Sequence, residues 1–226
     1  MSSIVTAATD PDQPYKFYYF PYRGLAEPIR LILNHVGAKF EDIRIERRVE
    51  WYRDWKHQSP IGHFPMLELV DGQRLCQSTA IARYLGEKYG LCATDFWSRA
   101  KLEELVDSGW PDLNPCTTMM TEAETSEEKK HIMDRTIEKF LVPRLRYFEQ
   151  HLVTRKTKFL VSDNVTWGDF VLWNNFLCGV TEWLEYPLSA FPSILAFCQQ
   201  MDNIESVKHW HETHNDVWTS GPYSLK

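Results

Sequence analysis

A chain of 226 residues with 43% hydrophobic content can bury a real core, and its length suits one large domain or two small ones. A formal net charge of -6, with 31 acidic against 25 basic residues, argues against the clustered cationic surface that a nucleic-acid backbone demands. The polar opening with Pro11 and Pro14 lacks the apolar run of a signal peptide, and no later stretch is apolar for long enough to span a bilayer, so neither nucleic acid nor membrane is an expected partner.

Residues 1–14 read as a flexible N-terminal extension. Lys16 to Phe20 is a β-prone aromatic run ended by Pro21, Arg23 and Gly24, and it predicts a first strand. Ile29, Ile32, Leu33 and Val36 recur at helical spacing, with Pro28 tolerable in the first turn and Gly37 as the stop. Phe40 to Ile45 predicts a second strand, parallel to the first through a right-handed crossover. After a connection containing Trp51 and Trp55, Met66 to Val70 and Arg74 to Cys76 flank Asp71-Gly72 and predict a hairpin. Ser78 is expected to cap a helix whose buried face carries Ile81, Ala82 and Leu85. The order βαβ then ββα over residues 15–92 is that of an α/β, thioredoxin-like layer.

From residue 93 to 226 the strand signals vanish, which predicts an all-α second domain. Ile137, Phe140, Leu141, Leu145, Phe148 and Leu152 form one long stripe, with Pro143 expected to kink it, and Glu122 to Lys130 reads as a charged, solvated turn. Thr166-Trp167-Gly168-Asp169 resembles a capping box, with Val165 and Phe170 spaced for a hydrophobic staple.

Candidate chemistry is sparse. Cys76, Cys92, Cys116, Cys178 and Cys198 are scattered, with no Cys-x-x-Cys, which fits a reducing compartment and neither a metal site nor disulfide exchange after strand one. That place reads Tyr19-Phe20-Pro21-Tyr22, so the phenol of Tyr19 is the polar group to inspect, although by spacing alone the aromatics of Tyr15 to Phe20 are core. Ile61-Gly62-His63-Phe64-Pro65 leads into strand three and is compatible with either isomer of the Phe64-Pro65 bond. Gln77-Ser78 follows strand four, placing Ser78 at a helix N-terminus that suits either a simple cap or a carboxylate. His209, His211 and His214 lack the spacing of a zinc helix and are expected at the surface; Met119-Met120, Trp167 and Trp173 are expected to be packing residues.

Taken in order, Tyr15 to Arg30, Gly62-His63-Phe64-Pro65, Gln77-Ser78-Thr79-Ala80-Ile81-Ala82-Arg83-Tyr84-Leu85 and Val165 to Phe170 are similar to the sigma class of cytosolic glutathione transferases, relatives of glutathione-dependent prostaglandin D synthase. The resemblance implies glutathione as co-substrate with no required metal, a cytoplasmic homodimer, and a detoxification chemistry that conjugates hydrophobic electrophiles. It assigns Tyr19 as the donor to the glutathione sulfur. The Phe64 backbone before a cis-Pro65, within Gly62 to Pro65, would pair with the cysteinyl part, and Gln77 with Ser78 would hold the γ-glutamyl carboxylate. Trp51 matches a tryptophan near the glycine end; the family's neighbouring lysine aligns with Trp55, leaving Lys56 as substitute. An acidic residue from the partner subunit matches Asp107, with Asp112 in reserve. Phe20, Tyr22 and Leu25 would face the second substrate. Leu25 stands where many relatives carry a thiol-tuning arginine, and His63 replaces a common lysine. Two alternatives stay open: isomerisation of a prostaglandin endoperoxide, and a non-enzymatic ligand-binding or structural relative.

Overall fold

The computed structural model describes residues 14–46, 49–109 and 123–214. Its first layer is a four-stranded sheet in the order β2-β1-β3-β4, built from β1 (Tyr15–Tyr19), β2 (Phe40–Arg44), β3 (Met66–Glu68) and β4 (Arg74–Cys76). β1 lies parallel to β2, from Tyr15 opposite Phe40 to Tyr19 opposite Arg44, and antiparallel to β3. A parallel pair needs a crossover, and α1 (Glu27–His35) supplies it, with Pro28 in the first turn where its missing N–H costs nothing. β1 is one residue earlier than the Lys16 to Phe20 prediction. The Tyr15 N–H bonds the Lys39 carbonyl at 3.0 Å, whereas the Phe20 carbonyl already turns back to the Tyr22 N–H at 2.8 Å.

The Asp71-Gly72 hairpin forms, with strands shorter than the Met66 to Val70 expectation. The Leu69 N–H bonds the Gln73 carbonyl at 2.8 Å and the Asp71 carboxylate accepts the Gln73 N–H at 3.0 Å, so the loop takes Leu69 and Val70 for itself. Gly72 sits at φ 84, where only the missing Cβ makes the turn cheap. Ser78 does not cap α2 (Ser78–Tyr89): it is the first helical residue, and Gln77 holds the cap position without a side-chain bond.

The second layer is helical: α3 (Phe96–Asp107), α4 (Ser126–Thr136), α5 (Val142–Thr154), α6 (Trp167–Asn174), α7 (Pro192–Asp202) and α8 (Glu205–Thr213). The supposed turn at Glu122 to Lys130 is helical from Ser126, because the Thr125 hydroxyl accepts the Glu128 N–H at 3.1 Å and starts α4; Glu122 lies outside the described residues. A π-helical turn, Ile137–Leu141, joins α4 to α5, so Pro143 falls in the first turn of α5 and the apolar stripe shifts, leaving Phe140 38% exposed.

α6 is buried along its whole length and is started by Asp169, which is fully buried. One carboxylate oxygen accepts the Thr166 N–H at 2.7 Å and hydroxyl at 2.6 Å, and the other accepts the Leu160 N–H at 2.9 Å. This is the predicted box, and it also ties down the loop before the helix. A second π-helical segment, Asn175–Trp183, continues α6.

The two layers share one apolar core, in which α1 packs against α6 and α8. Polar bonds cross the seam: the Trp210 indole donates to buried Glu27 at 2.9 Å, and the Asn34 amide donates to the Ser206 carbonyl at 2.8 Å. The surface assignment of the late histidines holds only for His209. His211 stacks on Trp173 with centroids 5.3 Å apart, and burial lowers its pKa to about 4; His214 stacks on Trp210 at 3.7 Å. Trp167 and Trp173 are buried packing residues, while Met119-Met120 and Cys116 lie outside the described residues. No helix among the described residues is long and apolar enough to cross a membrane.

Candidate functional site

β1 is a central strand, so its C-terminal end opens onto the seam between the sheet and the helical layer, and Tyr19 is its last residue. The ring is 5% exposed, and its oxygen accepts the Leu25 N–H at 3.2 Å. Burial raises the phenol pKa to about 12, against the lowering effects of the Leu25 N–H, the Arg30 charge and the Tyr22 side chain. At neutral pH the hydroxyl therefore keeps its proton and is available to donate a hydrogen bond, with an N–H behind it that would strengthen such a donation.

The loop after Tyr19 is shaped around that oxygen. Gly24 takes φ 44, and a Cβ there would lie 2.7 Å from the Tyr19 hydroxyl. Arg30 anchors the loop from α1: its guanidinium donates to the Tyr22 carbonyl at 3.1 Å, pairs with Asp42 at 3.1 Å and lies 5.9 Å from the Tyr19 ring centroid. Sequence reasoning gave Arg30 no role. Its signal is the Glu27-x-x-Arg30 pair on a helix otherwise apolar through Leu33, since a charge on a buried helix needs partners.

Phe20 and Tyr22 pack on Tyr19 with centroids 5.2 and 5.4 Å away, and Phe20 links Tyr19 and Tyr22 to an aromatic group around Tyr18, on the other face of the sheet. Phe20 stacks on Tyr22 with centroids 5.7 Å apart and meets Trp51 and Phe64 edge-on at 5.7 Å, while Trp51 and Phe64 are 4.4 Å apart. Trp51 is buried, whereas Trp55 is partly buried against Tyr18 and its indole donates to Glu50 at 3.2 Å. Leu25 is partly buried beside them. Lys56 stands apart: it is exposed, its ammonium 5.3 Å from the Tyr52 ring. His63 is also exposed, and Asp107 is an exposed residue ending α3; Asp112 lies outside the described residues.

The Phe64-Pro65 bond is cis, and Gly62 sits at φ 66. Ser59, which the sequence did not single out, holds this loop: its hydroxyl donates to the His63 carbonyl at 2.6 Å and accepts the His63 N–H at 3.1 Å. The Met66–Cys76 pairing carries Gln77 to the position across from Pro65. Gln77 has φ 75 and ψ 114, a backbone state that costs a non-glycine residue about 1–3 kcal/mol and collects at ligand-holding positions. It delivers the α2 N-terminus, with Ser78 and Thr79, to the same end of the sheet as Phe64, where unpaired N–H groups favour an anion.

A model of the glutathione S-transferase N-terminal domain matches residues 15–87, and one of the C-terminal domain matches residues 112–214. The chain belongs to the glutathione S-transferase family. Glutathione S-transferase 1 of Ascaris suum is 31% identical over 206 residues, covering 87% of this chain and 94% of its own. Among solved structures, prostaglandin synthase D of Nilaparvata lugens superposes with a TM-score of 0.79 at 31% identity, covering 89% of this chain and 99% of its own. A monomeric glutathione S-transferase of the hookworm Necator americanus superposes with a TM-score of 0.72 at 29% identity, covering 89% of this chain and 97% of its own. The thioredoxin-like first layer and the all-helical second layer are thus those of a glutathione S-transferase, an enzyme that couples the glutathione sulfur to an electrophilic carbon.

In this glutathione S-transferase, Gly24 tests how tightly the phenol is held. Gly24→Ala puts a methyl within 2.7 Å of the Tyr19 oxygen at a backbone angle that disfavours it. Conjugation turnover is expected to fall by about 10- to 100-fold, as for a misplacement near 1 Å, with a loss of about 1–3 kcal/mol in unfolding free energy. Unchanged turnover in steady-state assays would show that the loop does not set the position of the hydroxyl.

Proposed function

We propose that Tyr19 donates its hydroxyl hydrogen bond to the sulfur of glutathione and thereby holds it as thiolate for attack on hydrophobic electrophiles. The single observation that carries this reading is the place of the Tyr19 hydroxyl, at the end of β1 with the Leu25 N–H donating to its oxygen at 3.2 Å. A free thiol has a pKa near 8.5 and is only a few per cent thiolate at neutral pH. A donor aimed at the charged form lowers that pKa. Phe64 beside Pro65, within Gly62 to Pro65, offers main-chain groups to the cysteinyl part, and Gln77 with Ser78 offers the α2 N-terminus to the γ-glutamyl carboxylate. The Trp51, Trp55 and Lys56 segment is assigned to the glycine end. Phe20, Tyr22 and Leu25 form the first domain's contribution to an apolar wall for the second substrate.

The ordered motifs support a sigma-class reading, and the likeness to a prostaglandin synthase D favours a second reading of the activity, isomerisation of a lipid endoperoxide with glutathione returned unchanged. Retention on immobilised glutathione followed by thiol titration during turnover separates the readings. Conjugation consumes one thiol per product, isomerisation consumes none, and failure of glutathione to retain the chain would favour the non-enzymatic ligand-binding or structural alternative over both. We assign the protein to the cytoplasm, in keeping with the free thiols Cys76, Cys92, Cys178 and Cys198 among the described residues. We also assign it a homodimer in which the exposed Asp107 serves the partner's site; light scattering that shows a monomer would remove that role.

A further inference from the structure

Beside the Tyr22 side chain, the Tyr19 hydroxyl is held by a peptide group that is in turn held by the helical domain. The N–H that donates to the Tyr19 oxygen at 3.2 Å belongs to Leu25. The carbonyl of the same peptide unit is that of Gly24, and it accepts the side-chain amide of Asn174 at 2.9 Å. Asn174 is the last residue of α6, 4% exposed, in the helix that the Asp169 box fixes at its other end. A carbonyl only accepts, so the carboxamide presents its NH2 group to the loop.

We propose that Asn174 is a positioning residue for thiol activation, acting on the sulfur through the Gly24–Leu25 peptide and the Tyr19 hydroxyl. The proposal rests on the assignment of Tyr19 as the sulfur's donor. The chain of bonds runs in one sense: the Asn174 amide donates to the Gly24 carbonyl, the Leu25 N–H donates to the Tyr19 oxygen, and the Tyr19 O–H donates to the sulfur. Each donation polarises the group that makes the next, which strengthens successive bonds by roughly a tenth to a third each in a low-dielectric interior. Orientation matters as much as polarisation. Gly24 lacks a Cβ and sits at φ 44, so its peptide plane has few intrinsic restraints, and the bond from Asn174 fixes the plane with its N–H toward Tyr19. No proton leaves Asn174, and no bond is made or broken there.

The test is the thiol pKa of enzyme-bound glutathione, read from the ultraviolet absorbance of the thiolate against pH in wild type, Asn174→Leu, Tyr19→Phe and the double variant. Asn174→Leu keeps most of the side-chain volume and removes the donor; Asn174→Ala, which cannot clash, stands in if the leucine variant does not fold. The expected result is a rise of about 0.2–0.7 pH unit in the single Asn174 variant, roughly a tenth to a third of the two units attributed to Tyr19, with glutathione affinity little changed. In the Tyr19→Phe background the same substitution is expected to add nothing. A merely structural residue would lower the melting temperature and leave the bound thiol's pKa where it was. If Tyr19→Phe raises the thiol pKa and the Asn174 variants do not, the relay is wrong and the role of Tyr19 stands. A shift from Asn174→Leu that persists undiminished without the hydroxyl also overturns the relay. If Tyr19→Phe itself leaves the pKa unchanged, the Tyr19 assignment falls and the relay with it.

Discussion

Replacing Tyr19 by Phe is expected to lower conjugation kcat/KM by about 10- to 100-fold near neutral pH while leaving glutathione affinity nearly intact. The substitution removes one hydroxyl from a ring that is 5% exposed and packed against Phe20 and Tyr22, so the fold loses little beyond an acceptor for the Leu25 N–H. A depression of the thiol pKa by about two units needs roughly 2.7 kcal/mol, and a hydrogen bond to a charged group supplies about 1.5–3 kcal/mol. The loss in thiolate population is partly offset because a more basic thiolate is the better nucleophile. The signature is therefore a displaced pH profile. Wild-type activity falls as pH drops through the lowered thiol pKa, whereas the variant loses activity about two units higher and approaches wild type in alkaline buffer. Superimposable pH profiles for the two proteins would sink the assignment of Tyr19 as the activating donor.

Asp169→Ala is expected to cost about 3–5 kcal/mol in unfolding free energy, measured by chemical denaturation. Three buried donors, the Thr166 N–H, the Thr166 hydroxyl and the Leu160 N–H, lose their acceptor together. The wild-type residue also leaves a mark on the pH dependence of stability. Burial raises its pKa from 3.8 to about 6, overcoming the bonds from Thr166 and Leu160, so the folded chain holds this proton more tightly than the unfolded one. The sign follows from linkage: this contribution is fully present below about pH 4 and is lost as pH rises through about 6. Asp169→Asn cannot titrate, and that part of the slope is expected to disappear with it. A cost below about 1 kcal/mol in Asp169→Ala would mean that α6 starts without this carboxylate.

The elements legible in the sequence are those fixed by short-range rules. Pro28 and Gly37 bracket α1, Asp71-Gly72 turns the hairpin, and Thr166 with Asp169 starts α6, each because a local φ or an orphan N–H demands that residue type. The residues that surround Tyr19 from a distance were not legible. Arg30, Ser59 and Asn174 act across 8, 4 and 150 positions through side chain to carbonyl bonds, and no periodicity encodes such pairs. The same limit explains His211, whose partner Trp173 lies on α6, whereas His214 stacks on Trp210 four residues back on its own helix, a local spacing that the sequence does carry. Gln77 is a different case. A glutamine at φ 75 contradicts its own backbone preference, so only the surrounding β4–α2 junction reveals that the position is held there.

The buried bond from Trp210 to Glu27 bears on how this architecture tolerates recombination. Glu27 opens α1 and has no exposure, its pKa is raised by that burial, and its indole partner comes from the far end of the second layer. Grafting the first layer onto a foreign helical half would leave Glu27 its ion pair with Arg30 at 3.5 Å but take away its indole donor unless the new half brought one to the same spot. Chimeras at this junction are therefore expected to be less stable when the new half lacks an indole at the place of Trp210 than when it carries one.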